Sequence, residues 1–244
     1  MNQSNRSHCL NCQAEITENY CSVCGQSAKV QRITFRETLD DFFSSSFALE
    51  GQLLSTIKLM VVNPGLLLRS FIAGKRKSYY KPVAFFVLLS AVYLIVRSVL
   101  DYDPLDGQVQ LNNADESSKL FKDAARFMVT HINHIMFFLV FAIGFSNKLF
   151  FYRKYNLAEY LTVGFYVSGI YILVGLVQML FSLYVFFIAS QINMVILFFY
   201  LLYVSFSLHQ KKSFLAILKY LMLSLTVIFF YMLLGFGFSI IMVS

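Results

Sequence analysis

The chain has 244 residues, 58% of them hydrophobic and 14% charged, with a net charge of +7. A soluble domain is about 45–50% apolar and about 25% charged, so this composition, with a mean hydropathy of +0.64, argues against an ordinary soluble protein and for a membrane one. The basic residues lie mostly beside apolar stretches, where they set topology, so nucleic acid is not an expected partner.

The chain opens on a polar segment, Met1 to Arg6, with no apolar h-region. It does not read as a secretory signal peptide, and the N-terminus is expected in the cytosol, where thiols stay reduced. All four cysteines follow at once: Cys9-Leu-Asn-Cys12, eight residues, then Cys21-Ser-Val-Cys24-Gly25. Two Cys-x-x-Cys pairs form two knuckles, and four thiolates complete a closed tetrahedron for one structural Zn²⁺. Gly25 suits the positive φ that a knuckle commonly needs after its second cysteine; Gln13 stands at the matching place of the first. The spacing predicts a minimal ribbon over 1–28, with tiny strands near 14–16 and 18–20. A closed set of four thiolates leaves no open coordination position for catalysis.

Residues 29–81 read as a basic linker followed by amphipathic and interfacial helices. Thr34-Phe-Arg-Glu37 has capping-box form. Phe35, Leu39, Phe42, Phe43 and Phe47 fall at roughly helical spacing, away from Glu37, Asp40 and Asp41. Residues 51–73 are apolar but interrupted at Asn63-Pro64, which reads as an N-cap and first helical position; Gly74 reads as a C-terminal stop. Two helices follow from this, each too short for a bilayer of about 30 Å. Next comes Gly74-Lys75-Arg76-Lys77-Ser78-Tyr79-Tyr80-Lys81-Pro82. Cations with tyrosines directly before an apolar span suit the headgroup layer, as a topology signal or as a contact for anionic lipid or phosphate through Lys75, Arg76, Lys77, Tyr79, Tyr80 and Lys81.

Residues 82–244 read as an all-α polytopic domain of about five spans, near 82–100, 128–147, 157–186, 190–208 and 214–242. The nearly uncharged stretch 157–208 holds 52 residues, about 78 Å of helix, enough for two crossings and a turn. Asn156-Leu-Ala-Glu159 is a second capping-box form, which gives Glu159 a structural role. Ten Lys+Arg precede the first span; Lys148, Arg153, Lys154, Lys211 and Lys212 mark later inside turns. The balance puts the N-terminus inside and the C-terminus outside.

Intramembrane ionisable residues are functional candidates by default, and the predicted spans have no Asp or Glu at their middles. Asn133, Ser168, Gln178, Gln191, Asn193, Ser224 and Thr226 read as interhelical glue, with Gly164, Gly169 and Gly175 letting helices approach. His131 and His134 share a helix face and read first as interfacial hydrogen-bonding groups; with a loop carboxylate such as Asp123 they form a second candidate metal site, short of the third placed ligand a zinc site needs. Asp101-x-Asp103-x-x-Asp106-Gly107 departs from EF-hand spacing. No nucleotide-binding or hydrolase motif is present, and an enzyme is not the expected reading.

The Cys-x-x-Cys…Tyr-Cys-x-x-Cys-Gly-Gln run, the Asn63-Pro64-Gly65 step and Gly74-Lys75-Arg76…Tyr79-Tyr80-x-Pro82 together resemble a bacterial multi-pass membrane family, domain of unknown function 3667. The resemblance spans about residues 9–100 by motif and the rest by hydropathy. It implies a zinc ribbon on a helical domain in the bacterial inner membrane and brings no activity or catalytic residue. The expected function is a membrane-anchored interaction or scaffold protein with a protein partner, in the lipid bilayer and open to homo-oligomerisation; the alternative is a transporter, channel or lipid-handling protein.

Overall fold

The computed structural model describes residues 8–16, 18–28, 30, 32–34, 51–102, 120, 123–124, 126–128, 131–184 and 191–243, with the backbone only of residues 132–134 and 191. The amphipathic pattern over 35–47 and the acidic loop 103–119 lie outside these residues, and so does the boundary between the third and fourth expected spans. Seven helices are described: α1 Gln52–Val62, α2 Pro64–Ile72, α3 Pro82–Val99, α4 Ile132–Phe150, α5 Leu157–Tyr184, α6 Gln191–His209 and α7 Phe214–Val243.

Four of these, α3, α5, α6 and α7, are long and apolar enough to cross a membrane. The span expected at 128–147 corresponds to α4, a helix of 19 residues, of which Ile135–Phe150 is apolar with described side chains.

The bundle is organised around α5. Its first half, from Ala158 to Ile172, is buried at nearly every position, because α3 and α4 flank it. At Gly164 a Cβ would stand 2.6 Å from the Val140 carbonyl oxygen of α4, so only glycine admits this approach, as expected for small residues between membrane helices. α4 also packs on α7, and α6 bridges α2 and α7.

The Asn63-Pro64 step folds as its residues dictate. The Asn63 side chain accepts a hydrogen bond from the Leu66 N–H at 3.2 Å, and Pro64 takes the first helical position, where a missing N–H costs nothing. Gly74 closes α2 at φ +109°. The Gly74 N–H donates to Phe71 O at 3.0 Å and the Lys75 N–H to Ser70 O at 2.9 Å, the paired bonds of a Schellman motif. At the start of α5, the Glu159 N–H donates to Asn156 Oδ1 and the Asn156 N–H to Glu159 Oε2, both at 2.7 Å. This reciprocal pair is the capping box read from Asn156 and Glu159.

The expected polar glue is partly something else. Ser224 and Thr226 donate to the carbonyls of Tyr220 and Met222 in their own helix, at 3.0 and 2.7 Å. A hydroxyl that donates to the carbonyl four residues back has spent its one proton within its own helix. Tyrosine hydroxyls carry several bonds between segments. Tyr200 and Tyr203 of α6 donate to the carbonyls of Met60 and Val62, in the last turn of α1, where carbonyls lack helical partners. Tyr166 of α5 donates to Tyr80 O.

Candidate metal centre and its seat

The two knuckles are built alike. In the first, the Gln13 N–H donates to Cys9 O at 2.9 Å and the Cys9 N–H to Ala14 O at 2.8 Å. In the second, the Gly25 N–H donates to Cys21 O and the Cys21 N–H to Gln26 O, both at 2.8 Å. Gly25 sits at φ +70° and Gln13 at φ +64°. Both knuckles thus need a left-handed residue, and the first takes it at a cost of about 1–2 kcal/mol, since only glycine escapes the Cβ clash. The expected strands reduce to two isolated antiparallel bridges, His8 with Glu15 and Tyr20 with Ser27. Each bridge closes one knuckle; a spacer of eight residues is too short to propagate a ladder.

The knuckles bring the four sulfurs together. All lie within 4.8 Å of one another, with Cys9 Sγ 3.6 Å from Cys24 Sγ and Cys12 Sγ 3.5 Å from Cys21 Sγ. No disulfide joins them. A regular tetrahedron with metal–sulfur bonds of about 2.3 Å has edges of about 3.8 Å, so the four thiols could hold one metal ion. N–H groups of Cys24 and Val23 lead in drawing the Cys21 thiol down to about 7. At Cys12 the Ala14 N–H pulls down, yet burial and the three other sulfurs prevail and push it up to about 12. Sulfurs this close resist joint ionisation, and a divalent cation removes that resistance.

The ribbon is seated on the loop that follows α2. Gln26, only 6% exposed, donates through Nε2 to Gly74 O at 3.0 Å. Its Oε1 accepts from the N–H groups of Arg76 and Lys77 at 3.2 and 3.1 Å. From the first knuckle, Asn11 Oδ1 accepts from the Ser78 N–H at 3.1 Å and the Ser78 hydroxyl at 2.7 Å. A Cβ on Gly74 would stand 2.7 Å from Leu10 Cδ1, so the glycine that stops α2 also lets the ribbon approach. Gln52 of α1 donates to Lys77 O at 2.9 Å and holds the loop from beneath.

This places the basic motif. The main chain of 74–78 is engaged by the ribbon. Tyr79 and Tyr80 are buried in the core, Lys77 is exposed, and Lys75, Arg76 and Lys81 are half-buried. Arg76 lies over the Phe71 ring at 6.0 Å. The polypeptide leaving the ribbon is tied to the bundle as well. Arg32 makes a bidentate pair with Glu159, Nε to Oε1 and Nη2 to Oε2, each at 2.9 Å, and Asn156 Nδ2 donates to Ile33 O at 3.1 Å.

Residues 50–94 match the model of the family described as "Protein of unknown function (DUF3667)". The chain carries the DUF3667 segment. No curated protein matches the chain, and no solved structure does. The DUF3667 segment holds α1, α2, the ribbon's seat and most of α3, so the matched residues are those on which ribbon and bundle meet. On the bundle side, the Gly65 N–H donates to Ser207 Oγ at 2.9 Å, that hydroxyl donates to Asn63 Oδ1 at 3.1 Å, and a Cβ on Gly65 would stand 2.0 Å from Ser207 O.

Of the second candidate metal pair, His131 is exposed. Its Nδ1 lies 3.2 Å from Phe127 O and its ring stacks on Phe127 at 4.0 Å. The His134 side chain lies outside the described residues. Sequence reading assigned no role to Asn11, Gln26 or Arg32. The signal available was a pair of polar amides beside the cysteine knuckles, in a ribbon with almost no core of its own.

Proposed function

We propose that this chain is a membrane-anchored interaction protein, with its four cysteines holding one structural zinc in a cytosolic ribbon. The observation that carries this reading is the fixed seating of a closed four-thiol site on the DUF3667 segment. A closed donor set has no open position for substrate, so the metal would supply the folding energy of a module with almost no core. Zinc follows from four sulfur donors at tetrahedral spacing, and a reduced site suits the cytosol. The seated ribbon leaves Tyr20 and Val23 exposed, at 65% and 72%. An exposed tyrosine beside an exposed apolar residue on a rigid module is a surface suited to a protein partner.

The placement that goes with this reading is the bacterial inner membrane, N-terminus inside and C-terminus outside. Arg69, Lys154 and Lys211 come from three segments assigned to the inside, and Arg69 and Lys211 lie near enough to act on the Lys154 charge, which supports this assignment. Native mass spectrometry of the complex, taken from its own membrane into nanodiscs, tests the proposal. The expected result is one zinc per chain and a stoichiometric second protein, lost on Tyr20→Ala with Val23→Asp while zinc is kept. Zinc without a protein partner would contradict it.

A lipid-handling reading has one specific observation in its favour, the cluster of cations at that same end.

A further inference from the structure

The segments that meet beside the α6–α7 turn gather cations without a matching acid among the described residues. Arg69 of α2 donates through Nη1 to Ser207 O and Leu208 O. Lys154, from the α4–α5 connection, donates to Leu208 O at 3.4 Å and faces His209 Nδ1 at 3.3 Å. These contacts cap the C-terminus of α6, where cations are favoured, but they consume only part of the donors. Arg69 Nε and Nη2 and the Lys211 ammonium have no partner among the described residues. Burial, then the charges of Arg69 and Lys211, lower the Lys154 ammonium below its ordinary range, the mark of like charges held together. The carboxylate of Glu159 is already held by Arg32 and the Asn156 N–H.

His209 lies against Lys154 in the same region. Nδ1 faces an ammonium, which can only donate, so the neutral ring carries its proton on Nε2. That atom is buried with no partner among the described residues. The ring lies between Phe151 at 3.8 Å and Tyr220 at 5.8 Å.

An apolar groove begins beside this cluster. It has a volume of about 330 Å³ and is lined by Leu202, Tyr203, Phe206, Ile217, Tyr220 and Leu221 of α6 and α7. Tyr220 joins the two features, lining the groove, stacking on His209 and donating to Lys211 O at 3.3 Å. We infer that this is a binding site for an anionic phospholipid, its phosphate received by Arg69, Lys154 and Lys211 and one acyl chain laid in the α6–α7 groove. The inference rests on the membrane placement proposed above. The occupant follows from charge complementarity at one end and an unbroken apolar lining at the other, a pairing that a free anion does not use.

The full chain in nanodiscs of phosphatidylcholine with a minor share of phosphatidylglycerol tests it, by native mass spectrometry of the lipids retained on release. Wild type should retain phosphatidylglycerol above its share in the disc. Lys211→Gln should lower that enrichment about fivefold, the effect of one cation near a membrane surface. Lys211 is exposed and makes no side-chain bond, so this variant keeps the fold. Ile217→Trp, which fills the groove, should lower it as well, and Lys77→Gln should leave it unchanged. Equal loss with Lys77→Gln would mean diffuse surface attraction and overturn the site. Displacement of the lipid by inorganic phosphate, or full retention in Ile217→Trp, would reduce it to an anion site and overturn the lipid assignment. A protein partner absent while phosphatidylglycerol is retained would break the interaction proposal alone.

Discussion

Where the ribbon meets the 74–78 loop, two side-chain amides engage five main-chain and hydroxyl groups across a polar seam. Where α6 meets the Asn63-Pro64-Gly65 step, two backbones approach through a glycine with no room for a single carbon. Both seams lie on the DUF3667 segment, yet they differ in kind. Hydrogen bonds that exchange for water are worth about 1 kcal/mol each, so the ribbon seam can open when the ribbon loses its fold. Close packing has no such exchange, so the α6 seam holds or the bundle fails. The ribbon is thus a separable clamp and the α6 contact part of the frame.

The largest blow to the ribbon seam is removal of the thiols proposed to hold its metal. Cys21→Ser with Cys24→Ser should abolish metal binding and leave 8–28 open to limited proteolysis, with the helical content of the bundle unchanged by circular dichroism. Retained metal, or collapse of the whole bundle, would break the distinction between the seams. The matching blow to the frame is Gly65→Ala. Its Cβ would strike Ser207 main chain, and overpacking of this kind costs about 3 kcal/mol; a lower unfolding temperature with full metal content is the expected outcome.

Smaller changes sharpen the picture. Gln26→Ala removes three hydrogen bonds, about 2–3 kcal/mol of docking, and should speed amide exchange at Arg76 and Lys77 without loss of metal. Arg32→Gln should cost no more than about 1 kcal/mol on thermal unfolding, because the Arg32 side chain is 66% exposed and solvent screens the pair. The smallest effect is a gain. Gln13→Gly relieves a left-handed residue and should stabilise the metal-bound ribbon by about 1 kcal/mol, read as slower metal release to a chelator.

Local chemistry made much of this molecule legible before any coordinates. The four cysteines, the Asn63 cap, the Gly74 stop and the Asn156–Glu159 box each depend on residues a few positions apart, and each forms as read. Long-range pairings were hidden. Gln26 and Gly74 are 48 residues apart and Arg32 and Glu159 are 127 apart, with no periodicity to link them. Gly65 reads as an ordinary early helix residue until Ser207 arrives against it.

The central claim is that a metal-folded ribbon is clamped on the 74–78 loop of the helical domain. Hydrogen exchange on the full chain in nanodiscs, with metal bound and after chelation, tests it most directly. Loss of metal should raise exchange at Arg76, Lys77 and Ser78, whose N–H groups the ribbon accepts, and leave Gly65, bonded to Ser207, unchanged. Equal protection at 76–78 in both states would contradict the clamp.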